Sequence, residues 1–235
     1  MIRAILFDKD GTLTDFRATW EAWMPETIYA LARASGADPA AIAEAYGYDL
    51  QGGRIAADGL FVTATGDRVA ETVGKRIGWP ADRLADWLAP RQAATEQVAI
   101  PGLPGILARL RESGLALGVL TNAVAEEAEV QLDRLGLAPY LCRVIGCDSG
   151  YGAKPDPRGA AAFADDLGVP RQEVVLVGDG LTDMEAARGA GLRAVAVLTG
   201  TLGCDRLAEH AEIVLPDATH LPRWLEAQGL TIPRI

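Results

Sequence analysis

Short apolar runs that stop abruptly at a polar or glycine-rich turn recur along the chain, and they constrain its fold more than any other feature. Ile2–Phe7 (IRAILF) runs straight into Asp-Lys-Asp-Gly-Thr. Leu115–Leu120, Val144–Cys147, Val174–Val177, Ala194–Leu198 and Ile213–Leu215 repeat the pattern. Between them lie helical patterns: Pro104–Ser113 ends at Gly114, Glu126–Leu135 at Gly136, and Asp183–Arg188 runs into Gly189 and Gly191. Strands that are apolar on both faces and alternate with helices belong to a parallel sheet covered on both sides. The expectation is an α/β fold, a Rossmann-like parallel sheet with helices on both faces.

From about Asp15 to Val98 this rhythm breaks. No convincing buried strand occurs there. Four helix-like stretches do: Arg17–Ala34, Pro39–Tyr46, Asp67–Ile77 and Ala81–Gln97, with a glycine-rich segment, Asp49 to Thr65, between the second and third. A helical block inserted between the first two strands of an α/β sheet reads as a separate cap. The expected division is residues 1–15 and 98–235 as the α/β core and 16–97 as an α-helical cap, hinged near Asp15–Arg17 and Gln97–Pro101.

Composition narrows the classes. With 49% hydrophobic and 23% charged residues the chain can bury a core. No run reaches the length of a membrane span, and Asp8 and Asp10 arrive too early for a signal peptide, so a cytoplasmic protein with no membrane partner is expected. A net charge of −10 argues against nucleic acid as a partner. Cys142, Cys147 and Cys204 have no paired spacing and read as buried or half-buried packing residues. Lys9, Lys75 and Lys154 are the only lysines, which leaves few candidates for lysine chemistry.

Ligands of open parallel sheets bind beyond the carboxyl ends of the strands. Past the first strand come Asp8 and Asp10, past the second Thr121 and Asn122. A loop with Lys154 in Ala-Lys-Pro-Asp-Pro follows the third, and Asp179 and Asp183 in Gly-Asp-Gly-Leu-Thr-Asp follow the fourth. Taken singly, each has a plain structural reading as a turn, a helix cap or a surface lysine. Together they converge carboxylates on one edge, which is costly without a cation. An all-oxygen cluster with few protein ligands suits Mg²⁺, a hard ion that keeps waters and pairs with phosphate. A metal, a lysine and helix N-terminal amides let an acidic protein bind an anion.

These motifs resemble those of the haloacid dehalogenase-like hydrolase superfamily. The matches are Asp8-Lys9-Asp10-Gly11-Thr12-Leu13, Leu120-Thr121-Asn122, Lys154-Pro155 and Gly178-Asp179-Gly180-Leu181-Thr182-Asp183. They frame nearly the whole chain, and the position of the insert is similar to that of the phosphoglycolate phosphatase-like branch. Lys9 replaces an apolar residue between the two aspartates; its side chain is expected to point away from the chemistry.

The resemblance implies a Mg²⁺-dependent phosphatase acting on a small phosphorylated metabolite, working as a monomer or homodimer. It makes Asp8 the nucleophile that forms an aspartyl-phosphate, and Asp10 the acid that protonates the leaving alcohol and then the base that activates water. Mg²⁺ falls to the Asp8 carboxylate, the Asp10 carbonyl and Asp179, with Asp183 binding directly or through water. Thr121 and Asn122 hold phosphoryl oxygens and Lys154 offsets their charge.

Asp10 argues against a dehalogenase, which lacks the second aspartate. Lys75, the cap's one lysine, is a poor candidate for the imine of phosphonate-cleaving relatives. A β-phosphoglucomutase-like sugar-phosphate mutase shares the machinery and is the nearest alternative. A non-catalytic phosphate-binding regulatory protein is the second. In the cap, Arg54 in Gly52-Gly53-Arg54-Ile55 is a candidate grip on a substrate carboxylate or second phosphate, set against a plain surface arginine, and Arg17 is a further candidate. Trp20 and Trp23 read first as packing between cap helices.

Overall fold

The computed structural model describes residues 1–233. In chain order, β1 (Ala4–Phe7) is followed by α1 (Phe16–Ser35), α2 (Pro39–Tyr46), β2 (Tyr48–Asp49), β3 (Arg54–Ile55), α3 (Leu60–Thr63), α4 (Gly66–Ile77) and α5 (Ala81–Ala93). Then come α6 (Leu103–Glu112), β4 (Ala116–Leu120), α7 (Ala125–Arg134), β5 (Arg143–Ile145), α8 (Arg158–Leu167), β6 (Val174–Gly178) and α9 (Leu181–Ala190). The described chain closes with β7 (Arg193–Val197), α10 (Cys204–Ala208), β8 (Ile213–Leu215) and α11 (Leu221–Ala227). Two compact units result: Met1–Asp15 with the chain from Ala99 onward, and Phe16–Val98.

The first unit is built on a six-stranded sheet of order β5-β4-β1-β6-β7-β8, every neighbouring pair parallel. Alternation along β1 shows why both faces must be covered. Ile5 and Phe7 enter one core with Leu107 and Leu110 of α6, Leu132 of α7 and Leu225 of α11. Ala4 and Leu6 enter the other with Phe163 of α8 and Met184 and Ala187 of α9. All four β1 residues are fully buried, so the run is apolar throughout, as the sequence implies. The order reverses at β1, which pairs with both β4 and β6, so the turn after Phe7 opens at the switch point of the sheet.

The second unit is helical with one small exception. Its core gathers Trp20, Met24, Ile28 and Leu31 of α1 with Ile42 and Tyr46 of α2, Val73 of α4 and Leu88 of α5. Trp20 and Trp23 meet edge-on at 5.5 Å, and both lie against Phe61. The exception is the β2–β3 hairpin inside the glycine-rich segment, where the sequence pattern announces no strand. It pairs two residues with two, too short for an alternating pattern. Its turn is closed by Asp49, which accepts from the Gln51 amide at 2.9 Å and from the Gly53 amide at 2.8 Å.

Other differences are local. Helix α5 stops at Ala93 rather than Gln97, and Thr95 turns its hydroxyl onto the Arg91 carbonyl at 2.9 Å. Cys142 and Cys204 are exposed, not buried; one lies in the loop before β5 and the other opens α10.

Candidate active site

Asp8 is the first residue past β1, and its amide still donates to the Val177 carbonyl of β6 at 2.8 Å, so the sheet fixes where its side chain starts. The chain then turns tightly. The Lys9 carbonyl accepts from the Leu13 amide at 2.9 Å and the Thr14 amide at 3.2 Å, and the Gly11 amide donates to the Thr14 carbonyl at 2.9 Å. Gly11 sits at φ +90°, and a Cβ there would lie 2.5 Å from Cγ of Asp179, so both the turn and the close carboxylate demand glycine. From the loop after β7, the Thr199 hydroxyl donates to the Gly11 carbonyl at 2.6 Å.

On the neighbouring strand β6, the chain passes through Gly178 into Asp179 and Gly180, and α9 begins. Asp183 lies in its first turn and accepts from the Gly180 amide through Oδ2 at 3.0 Å, a bond that orients the carboxylate at a helix N-terminus. Asp8, Asp179 and Asp183, exposed by 6%, 6% and 2%, offer carboxylate oxygens that all lie within 4.8 Å of one another. Lys154 reaches in from the loop between β5 and α8. Its ammonium donates to Asp183 Oδ1 at 2.6 Å and to Asp8 Oδ1.

Lys154 is itself held by its backbone. Asn122, two residues past β4, accepts from the Lys154 amide at 2.8 Å and donates to the Lys154 carbonyl at 3.1 Å. Thr121 is buried, its amide tied to the Ile145 carbonyl and its hydroxyl accepting from the Ala123 amide at 3.1 Å. The ends of β1, β4 and β6 and the loop after β5 thus bring Asp8, Asp179, Asp183, Lys154 and Asn122 into one connected cluster.

One ammonium against three buried carboxylates leaves a shortage of positive charge. Burial is the largest influence on Asp8, opposed by Lys154, and its pKa is raised to about 6. Asp179 is raised well above the usual carboxylate range by burial and then by Asp8 and Asp183. Burial alone would lower the Lys154 ammonium, but Asp183 and Asp8 outweigh it and hold it above its ordinary value. An all-oxygen donor set with surplus negative charge fits a hard divalent cation.

The departure from expectation lies beside Asp10, at Lys9. The Lys9 side chain does not point away: it is 1% exposed, and its ammonium contacts Asp10 Oδ2 at 2.6 Å and donates to Gln131 Oε1 at 2.7 Å. Gln131, on α7, donates in turn to Glu127 at 3.0 Å. Lys9 lies on the side of the sheet that Ile5 and Phe7 enter, where α7 carries Leu132 and Gln131, and from there its ammonium reaches Asp10. A signal for Gln131 exists in the sequence: it stands beside Leu132 and three residues after Ala128, on the buried face of an amphipathic helix. Thr199 carries no such signal.

Within the helical unit, Arg17 and Arg54 share one partner. Glu21 accepts from Arg17 Nη1, and it accepts from Arg54 Nη1 at 3.3 Å and from the Ile55 amide at 3.1 Å. The Arg54 side chain is 65% exposed and that of Arg17 31%. The two candidate arginines, far apart in sequence, therefore form one cluster on a carboxylate that no sequence motif singles out.

The fold and the cluster at its strand ends define a class: an α/β protein with a carboxylate–lysine site at its topological switch point. A model of the haloacid dehalogenase-like hydrolase family matches residues 2–191, and the chain belongs to that family. The phosphoglycolate phosphatase of Rhodospirillum rubrum is 36% identical over 146 residues, which cover 61% of this chain and 60% of that protein. The chain thus matches only about three fifths of that relative's length. The N-acetylmuramic acid 6-phosphate phosphatase of Pseudomonas aeruginosa is 28% identical over 219 residues, 89% of this chain and 91% of that protein. Among solved structures, a HAD phosphatase of Thermococcus onnurineus superposes with a TM-score of 0.67 at 24% identity, covering 95% of this chain and 98% of that one, a likeness of fold. Among the described residues, no helix is long and apolar enough to cross a membrane.

Proposed function

We propose that the chain is a Mg²⁺-dependent phosphatase that hydrolyses small organic phosphate monoesters through an aspartyl-phosphate on Asp8. The observation that carries this reading is the buried Asp8–Asp179–Asp183 cluster joined by Lys154. Mg²⁺ would be held by the Asp8 carboxylate, the Asp10 carbonyl and Asp179, with Asp183 binding directly or through water. When bound it supplies the positive charge that draws a phosphate dianion against Asp8.

The chain's own groups do the rest. A carboxylate oxygen of Asp8 attacks phosphorus and the ester P–O bond breaks, while the departing oxygen takes a proton from the Asp10 carboxyl. Water then attacks phosphorus and gives its proton to the Asp10 carboxylate. The acyl-phosphate P–O bond breaks, releasing inorganic phosphate and restoring Asp8. Lys154, Thr121 and the Asn122 amide hold the equatorial oxygens on which charge gathers.

The substrates in the relatives' names, phosphoglycolate and N-acetylmuramic acid 6-phosphate, each carry a carboxylate besides the phosphate ester. A guanidinium binds a carboxylate through two parallel bonds, and Arg17 and Arg54 are the candidate grips in the helical unit. We therefore favour carboxylate-bearing phosphate monoesters, phosphoglycolate first among them, with the helical unit acting as a cap that selects substrate.

The test is phosphate release from a panel of phosphoglycolate, hexose phosphates, nucleoside monophosphates and p-nitrophenyl phosphate, with Mg²⁺ or chelator, for wild type and Asp8→Asn. Metal-dependent release lost in the variant is expected. Full activity in Asp8→Asn, or no release from any ester, overturns the reading; a β-hexose 1-phosphate isomerisation assay then tests the mutase.

A further inference from the structure

We propose that Lys9 is a positioning residue for the reaction: anchored by Gln131, its ammonium holds the Asp10 carboxyl in the one orientation from which it can serve the leaving group. The inference rests on the phosphatase reading, which gives Asp10 its acid–base role, and assigns a function to a side chain that stands where the motif has an apolar residue.

A carboxyl on a tight turn has two free torsions, and Asp10 is 21% exposed, so burial alone does not fix it. The Lys9 ammonium does, through its 2.6 Å contact with Oδ2. A lysine chain is flexible and would itself need fixing. That is the part played by Gln131, which accepts at 2.7 Å and is 1% exposed. Gln131 is oriented in turn by its bond to Glu127 one helical turn earlier on α7. The groups facing the ammonium are thus Asp10, Gln131 and, beyond it, Glu127. The relay also starts close to the phosphate-side residues in sequence, since α7 begins at Ala125, three residues after Asn122.

Catalysis by a positioned proton donor is worth about 10²–10⁴-fold, and it is lost by misplacement as much as by removal. The demand for a proton depends on the leaving group. An alkoxide needs one; p-nitrophenolate, a weak base, leaves without it. The ratio kcat/KM reports only the steps up to loss of the leaving group, so the later attack of water does not enter.

The experiment measures kcat/KM for phosphoglycolate, or the best alkyl phosphate of the panel, and for p-nitrophenyl phosphate, in wild type, Lys9→Met, Gln131→Met and Asp10→Asn, with thermal melting as the check on folding. We expect Lys9→Met to lose about tenfold or more on the alkyl ester and less than about twofold on the aryl ester, since only the former needs the donor. Gln131→Met should show the same split to a smaller extent, and it carries the test if Lys9→Met does not fold. Asp10→Asn should show the largest split, and adding Lys9→Met to it should cost nothing more.

Equal loss on both esters, or none, in a Lys9→Met protein that melts like wild type overturns the proposal and leaves the phosphatase reading standing if Asp10→Asn still shows the split. No split in Asp10→Asn, or no turnover by wild type, removes the role of Asp10 itself and with it the role of Lys9.

Discussion

The ammonium of Lys154 lies 2.6 Å from Asp183 Oδ1 and also donates to Asp8, so a single cation ties the loop after β5 to the ends of β1 and β6. All three side chains are less than one tenth exposed. Removing one partner of such a group leaves charges buried and uncompensated, whereas the intact group is worth much less than that loss.

Lys154→Met therefore serves as the first prediction. Phosphatase activity should fall by at least about 100-fold, the scale of losing one preorganised group that stabilises transition-state charge. In chelator, the variant should also lose about 3 kcal/mol of stability at pH 8, typical of an orphaned buried charge. The loss should shrink toward pH 5, because Asp8, with its pKa already raised to about 6, escapes the penalty by taking a proton. Urea unfolding at the two pH values measures both. A loss that grows toward pH 5 would contradict this account of the site's electrostatics.

Asp179 gives a prediction of opposite sign. Its pKa is raised in the folded state, chiefly by burial, so the folded protein binds that proton more tightly than the unfolded chain does. Stability from this group is fully present below the usual carboxylate range and is lost as pH rises through the raised value. Asn carries no such cost. In chelator, Asp179→Asn should be more stable relative to wild type at pH 8 than at pH 5, by about 1.4 kcal/mol for every pH unit of that interval over which folded wild type keeps the proton on Asp179 and the unfolded chain does not. Millimolar Mg²⁺ should reverse the order at pH 8 by stabilising only the wild type. Thermal melts with and without Mg²⁺ decide it; a wild type indifferent to the ion would count against the metal.

Gly11→Ala should be damaging out of proportion to one methyl group. The φ of +90° strains any L side chain, and the new Cβ would press on Asp179 from 2.5 Å. The expected loss is about 1–3 kcal/mol from the backbone conformation alone. Displacing Asp179 should also weaken Mg²⁺, so the metal-induced rise in melting temperature should fall with it. A variant that loses stability but keeps the full Mg²⁺ shift would separate the turn from the ion site.

The sheet can be read in the sequence because burial on both faces forces its strands to be apolar throughout; Ala4–Phe7 and Val174–Gly178 contain no residue that could face water. The strand-end carboxylates are legible for a related reason, since nothing in packing calls for Asp8, Asp179 and Asp183 where the sheet ends. What escapes the sequence depends on direction or on weak pattern. Helix α8 (RGAAAFADDL) buries Gly159, Ala160, Phe163 and Ala164, a stripe of mostly small residues around one Phe that carries little apolar signal in the sequence. The β2–β3 hairpin is shorter than any period. Lys9 departs from expectation because its long side chain reaches Asp10 from the α7 side of the sheet, and its partner Gln131 lies more than a hundred residues away.

The arginine cluster of the helical unit yields the last prediction. Arg54 is mostly exposed and its pairing with Glu21 at 3.3 Å is a surface ion pair, which typically contributes less than about 1 kcal/mol. Arg54→Met should therefore melt close to wild type. Its effect on turnover should depend on what the substrate carries. A guanidinium that grips a carboxylate distant from the reacting phosphorus binds ground state and transition state alike, so its loss raises KM and leaves kcat nearly unchanged. For a carboxylate-bearing ester such as phosphoglycolate, KM should rise by about tenfold, the scale of one charge-assisted hydrogen bond. For p-nitrophenyl phosphate, which has no carboxylate, kcat and KM should both stay put. Arg17→Met tests whether the partner arginine shares the grip, since Glu21 holds both. If KM rises equally for the two esters, Arg54 acts through overall charge and not through a carboxylate. If neither changes, Arg54 is a surface residue and specificity resides elsewhere in the helical unit.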